Sequence, residues 1–374
     1  MAELTLTAVR EDSGPQPSPA GPPPPAKNRA LAVVAKVGWA LLALGLFVGS
    51  LQIMKAGAEA LIPALSGSVF TDNAMSTLGL GWLGACVVLS GSPMAASSIA
   101  LLDGGAITRS QAFTMLTGSR LGASFVVLVV GFIYAMRRRG GRRAPLSIGI
   151  LSLTMTMVAY VPGAAIGFLL LQSGALDGVD VAAPPGLLSV TDVLFGWMAD
   201  GAKAVLPGWG LFPLGLAVLL VAFKLFDRVL PDLSGESLGR HNAWFRRPWA
   251  MFGVGCAVAF MTLSVSVALT LLVPLVAKGY LKREDTLPYI AGANITTLAD
   301  TLVLAMLTGN ADATRVVIAS TVGVTAWTVL LLALAYPALR RGAITFARST
   351  VRTRPRLALF LSVLFAVPLS LVAV

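Results

Sequence analysis

The polar residues that could do chemistry in this chain are those embedded in apolar sequence. Ser90 and Ser92 interrupt the apolar stretch 78–105, and Ser264 and Ser266 interrupt 249–278. Each pair is followed by a second polar break. In the first case it is Gly118-Ser119-Arg120-Leu121-Gly122-Ala123-Ser124; in the second it is Gly292-Ala293-Asn294-Ile295-Thr296-Thr297, with Asp300 a turn further on. Ser90 precedes Gly118 by 28 residues, and Ser264 precedes Gly292 by the same 28. Equal spacing between two unusual breaks marks an internal repeat. A helix broken inside an apolar layer exposes N–H groups at one half-helix start, which attract anions, and carbonyls at the other half-helix end, which attract cations. Hydroxyls donate to anion oxygens and accept from cations. Such a set can replace an ion's hydration shell. A lone serine in an apolar helix more often bonds the carbonyl one turn back or lets helices pack closely; the paired, equally spaced set favours a site.

The elements that must position these residues are set by composition. Of the 374 residues 56% are hydrophobic and only 12% charged, and the mean hydropathy is +0.82. That leaves too little polar surface to coat a soluble globule of this size, so the bilayer is the expected solvent and the fold class is all-α, polytopic. Net charge is +11, but sixteen of the 28 basic residues fall in three short stretches between apolar runs, 137–143, 224–247 and 340–356. Basic loops beside apolar spans mark the cytoplasmic side, and no interleaved aromatic residues suggest a nucleic-acid partner. Cys86 and Cys256 lie inside apolar segments and read as small packing residues. His241 is the single histidine and sits in a basic loop. Neither metal ligation nor histidine proton relay is expected. No phosphate-cradling loop followed by Lys and Ser/Thr is present, so ATP drive is unsupported. An enzyme and a cofactor are not expected.

Residues 1–28, with the run Gly21-Pro22-Pro23-Pro24-Pro25, read as a disordered tail with a cytoplasmic N-terminus, ahead of a membrane domain over 29–374. Seven spans are expected, at 31–53, 109–136, 145–172, 209–226, 284–310, 313–336 and 357–373. The stretch 173–208, with Asp177, Asp180, Asp192 and Asp200, suits the outer face. The apolar stretches 78–105 and 249–278 do not fit as full crossings. If each dips in and returns, all three basic loops stay on one side, so both are expected to be re-entrant hairpins. The helix after the first hairpin then ends inside and the one after the second ends outside. The copies, about 31–172 and 209–336, are therefore inverted, a common plan of secondary transporters.

The second copy resembles the sodium–phosphate cotransporters, whose repeats carry a Q-S-S-S segment and, downstream, G-A-N-I-G-T-T. The likeness rests on Leu271-Leu272-Val273-Pro274-Leu275-Val276 and Pro288-Tyr289-Ile290-Ala291-Gly292-Ala293-Asn294-Ile295-Thr296-Thr297. In the first copy, Gly105-Ala106-Ile107 through Gln111-Ala112 keeps the family's spacing with less identity. The family's glutamine is Leu89 in one copy and Leu263 in the other, its middle serine is Gly91 and Val265, and its A-N pair in the first copy is Ser119-Arg120. The resemblance implies sodium-coupled symport of phosphate or a related small anion across the cell (inner) membrane. It implies substrate contacts from Ser90, Ser92, Ser264, Ser266 and Asn294, and ion contacts at Thr296, Thr297 and Ser119. Asp300, four residues beyond Thr296 on the same helical face, is a further ion-ligand candidate, whereas Asp103, at the outer end of the first hairpin, is expected to touch water. Arg120 falls where substrate should lie; an ionisable side chain at mid-membrane costs at least about 2.5–3.5 kcal/mol, so it is expected either to face an anion or to pair with an acid in place of a cation. Transport of another solute on the same scaffold, and a non-transporting sensor or scaffold, stay open, as does homo-oligomerisation.

Overall fold

The computed structural model describes residues 26–65, 68–137, 143–179, 181, 185–229, 247–262, 264–277 and 281–374. Residues 1–25 of the expected tail, most of the first two basic loops with His241, Leu263 and Lys278 lie outside the described residues. The described residues are all-helical, and six helical stretches are long and apolar enough to cross a membrane: Val37–Leu61, Arg109–Met136, Pro145–Gln172, Arg283–Leu307, Ala311–Leu334 and Arg354–Val372. They coincide with six of the seven expected spans. The seventh, 209–226, lies in a helix whose described apolar part, Gly208–Ala222, falls short of a crossing by length.

The chain opens with α1 (Ala26–Leu65). The first copy begins at α2 (Ala74–Val88), capped by Asn73, whose side chain accepts from the N–H groups of Met75 and Ser76. The helix stops at Leu89, the only described non-glycine residue with positive φ (57°). Ser90 is extended, and α3 (Gly91–Asp103) turns back. Pro93 falls in the first turn of α3, where a missing N–H breaks no helical bond. The crossing that follows is split at Ser124 into α4 (Arg109–Ala123) and α5 (Phe125–Arg137), and α6 (Arg143–Gln172) completes the copy.

The second copy repeats this order. After α7 (Pro185–Val205) and α8 (Gly208–Val229), α9 (Pro248–Thr262) ends before Ser264, which caps α10 (Val265–Thr270). A further interruption at Leu271 leads into α11 (Leu272–Ala277); Pro274, in its first turn, cannot donate to the Thr270 carbonyl, which favours the interruption there. A short 3₁₀ turn, Arg283–Asp285, precedes a crossing split at Thr297 into α12 (Thr286–Thr296) and α13 (Leu298–Leu307), followed by α14 (Ala311–Leu334). The chain ends with α15 (Tyr336–Thr350) and α16 (Arg354–Val372).

Backbone packing repeats at the 174-residue offset expected from the serine and glycine spacing. Gly81 lies against the backbone of Met115 as Gly255 lies against that of Tyr289, and Gly118 meets Leu78 and Trp82 as Gly292 meets Phe252 and Cys256. Each copy's hairpin therefore packs its entry helix on its own broken crossing. The return arms also reach the other copy: α3 packs chiefly on α4 and in addition on α13, while α10 and α11 touch α5 and α11 also packs on α6. The copies are inverted. Their equivalent turns, after α3 and after α11, fall at opposite ends of α14, whose 24 residues span roughly 36 Å. At one end Arg109 pairs with Asp177 and Asp312, and Arg315 also pairs with Asp312. At the other end Glu284 pairs with Arg340 and Arg348. There the carboxylate raises the Arg340 guanidinium above its ordinary pKa, and burial pushes the Tyr336 hydroxyl up.

Three sequence expectations are revised. The stretch 173–208 holds a 21-residue helix, α7, with Phe195 and Met198 against Gly45 and Gly49 of α1; its scattered acids masked an otherwise apolar segment. The third basic stretch is mostly helix: α15 buries Ala343, Ile344 and Ala347 while its arginines stay exposed. Asp103 is largely buried rather than solvated: it pairs with Lys55 at 2.9 Å and accepts from Asn310.

Candidate functional site

The two hairpin tips meet. The Ser266 hydroxyl donates to the Leu89 carbonyl at 3.3 Å across 177 residues of sequence. Leu89 ends α2 in the left-handed conformation, so its carbonyl is not carried on into a helix and is left for this partner. Ser264 caps its own half-helix, accepting from the Val267 N–H at 3.3 Å, while its carbonyl accepts from Thr262. Ser90 is the equivalent cap of α3, but its side chain makes no cap hydrogen bond.

The first hairpin also reaches the second copy's broken crossing. Ser92 donates to Asp300 Oδ2 at 2.6 Å. The other carboxylate oxygen accepts from the Thr301 N–H at 2.6 Å, from the Thr301 hydroxyl at 2.9 Å, and from Arg120 Nη2 at 3.4 Å. Arg120 Nη2 also donates to Thr301 Oγ1. Arg120 is 2% exposed and its carboxylate partner 10%. Arg120 thus pairs with an acid, one of the two outcomes expected for it. Its Nε and Nη1 are buried with no hydrogen-bond partner among the described residues.

A second buried cluster stands beside the first. Asn294 donates through Nδ2 to Thr156 at 2.9 Å, and Thr156 shares a 2.6 Å hydroxyl contact with Ser124 at the break between α4 and α5. The Asn294 carbonyl accepts from Tyr160 at 2.8 Å and from Thr297 at 3.0 Å. All of these residues are buried. Thr296 bonds back to the Gly292 carbonyl, and Ser119, fully enclosed, bonds back to that of Leu116. The hydroxyls of Thr296 and Ser119 thus donate within their own helices, whereas Ser92, Ser266, Arg120, Asn294 and Asp300 link different elements.

Sequence reading missed Ser124, Thr156, Tyr160 and Thr301. A signal was present for two of them. Ser152, Thr156 and Tyr160 recur at four-residue spacing along one face of α6, and a tyrosine buried in an apolar helix needs a hydroxyl partner.

Polar groups from two inverted, broken-helix copies therefore converge between the hairpin tips. Residues 218–371 match the family model described as Na+/Pi-cotransporter. This part of the chain is similar to that family. The match takes in the second copy, α9 to α14, and runs into α16; the first copy lies outside it. No curated protein and no solved structure matches the chain. The protein is a multi-pass membrane protein whose second copy is similar to Na+/Pi-cotransporters.

Proposed function

We propose that this protein is a secondary active transporter that moves inorganic phosphate or a closely related oxyanion together with sodium, without covalent chemistry. The observation that carries the reading is the meeting of the two hairpin tips through Ser266 and Leu89, within a chain whose second copy is similar to the Na+/Pi-cotransporter family. Substrate is assigned to the polar groups around those tips: Ser90, Ser92, Ser264, Ser266, Asn294 and the open donors of Arg120. Sodium is assigned to the helix breaks, where Thr296 and Thr297 stand beside carbonyls at a half-helix end, and to Ser119 on the last turns of α4 before its break. The clustered arginines support an orientation with the N-terminus in the cytoplasm of a cell whose inner membrane holds the protein. Leucine at 89 and 263, where the family's glutamine would stand, favours a second reading on the same scaffold, in which the carried solute is not phosphate.

Purified protein in sealed vesicles tests both. Phosphate uptake driven by an inward sodium gradient, and lost when choline replaces sodium, supports the first reading. Sodium-driven uptake of another solute with phosphate excluded supports the second. Vesicles that accumulate neither would show a membrane protein that kept the fold without transport.

A further inference from the structure

The Asp300 carboxylate offers about four acceptor positions, and four donors already hold it: Ser92, the Thr301 N–H, the Thr301 hydroxyl and Arg120 Nη2. A sodium ion would have to displace one of them. Arg120 is in the opposite condition. A guanidinium carries five N–H donors, and those on Nε and Nη1 find no acceptor among the described residues although the side chain is 2% exposed. The repeat sharpens the contrast. At the equivalent place in the second copy, 174 residues on, Asn294 is tied by its amide and its carbonyl to Thr156, Tyr160 and Thr297. One copy thus carries a neutral amide, its Nδ2 on Thr156 and its backbone carbonyl on Tyr160 and Thr297, where the other carries a cation with open donors. The open donors have a neighbour of matching character. Gly91, the first residue of α3, packs against the Ser119 carbonyl, which brings the start of that thirteen-residue helix, with its free N–H groups and Ser92, beside Arg120.

We propose that Arg120 is an oxyanion-binding residue and that its guanidinium, not a sodium ion, neutralises Asp300. The Arg120–Asp300 pair has no net charge and a surplus of donors on Nε and Nη1, so the subsite these form with the backbone N–H groups at the start of α3 takes an anion such as phosphate or sulfate and repels a cation. This rests on the transport reading only for which oxyanion is carried.

The test is thermal unfolding of the purified full-length protein, in choline medium, against inorganic phosphate and against sulfate. At least one of the two should protect the parent protein. Arg120→Lys, which keeps charge but loses donors, should bind more weakly. The charge-neutral pair Arg120→Gln with Asp300→Asn, which avoids leaving a buried carboxylate unpaired, should lose about tenfold or more in apparent affinity. Asp300→Asn alone should keep the parent's response to sodium. No protection of the parent by either anion overturns the proposal. So does undiminished anion binding by the double variant, or loss of the sodium response in Asp300→Asn. If vesicles show no phosphate flux while an oxyanion still protects the parent and not the double variant, the transport reading fails and the anion subsite stands.

Discussion

Replacing Gly255 by alanine should weaken the protein by an amount its neighbour Gly253 calibrates. Both glycines lie in α9. A Cβ at Gly255 would stand 2.8 Å from the Tyr289 carbonyl carbon and closer still to its oxygen, whereas one at Gly253 meets nothing within 4 Å. Ordinary contact begins near 3.4 Å, and the obstacle is backbone, so α9 and α12 must part by something on the order of an ångström. Alanine also favours any helix interior over glycine by roughly 0.5–1 kcal/mol. That gain is common to both sites and cancels in their difference. What remains is the packing cost of forcing a methyl between two close helices, about 1–3 kcal/mol. Gly253→Ala should therefore be neutral or slightly stabilising, and Gly255→Ala less stable than it by about 1–3 kcal/mol. Gly81→Ala, at the equivalent place against Met115, should fall by a similar amount. The assay is equilibrium unfolding in detergent of the three variants side by side, with sodium-driven uptake measured in parallel, since displacing α12 also displaces Asn294. Equal stability of Gly253→Ala and Gly255→Ala would refute the inferred backbone approach and the repeat packing built on it.

Three further outcomes are expected. Ser266→Ala removes the hydrogen bond joining the tips, and should cost about 1 kcal/mol of stability while slowing uptake far more than that loss alone explains. Leu89→Gly relieves a left-handed leucine that costs roughly 1–2 kcal/mol, less the flexibility that glycine adds, and should leave the protein as stable or up to about 1 kcal/mol more so by unfolding. Glu284→Gln removes both pairs to Arg340 and Arg348. Because these are exposed, the loss should stay within about 1 kcal/mol per pair and vanish in high salt when unfolding is followed against ionic strength.

Much of the architecture can be read from local sequence. The Ser-Gly-Ser-Pro run stops a helix wherever it lies, and a 28-residue spacing is the same in one dimension as in three. The hairpins and their repeat relation are therefore visible before any contact is known. What could not be read depends on distant partners. Asp300 looks like an ion ligand from its own helix; only the folded chain brings Ser92 and Arg120, from 208 and 180 residues away, onto its two oxygens. Asp103 sits at a hairpin end and looks solvated until α1 supplies Lys55. The helix α7 was hidden because the acids of 173–208 drew that stretch to the outer face, and its pairing with α1 depends on glycines more than 140 residues earlier. Thr156 and Tyr160 carried a faint periodic signal, but their partner Asn294 belongs to the other copy.

The reach of the two return arms into the other copy bears on how the chain is made. Helix α3 finds α4 soon after it is made but meets α13 only once the second half is synthesised, and α5 likewise waits for α10 and α11. Until the second half has been inserted, the first hairpin stands in the bilayer with the peptide groups at its bend uncovered, which lipid cannot satisfy. The finished molecule is thus a clasp that neither half can close alone, and a nascent chain halted near residue 240 should be held by insertion machinery or degraded rather than persist as a half-protein.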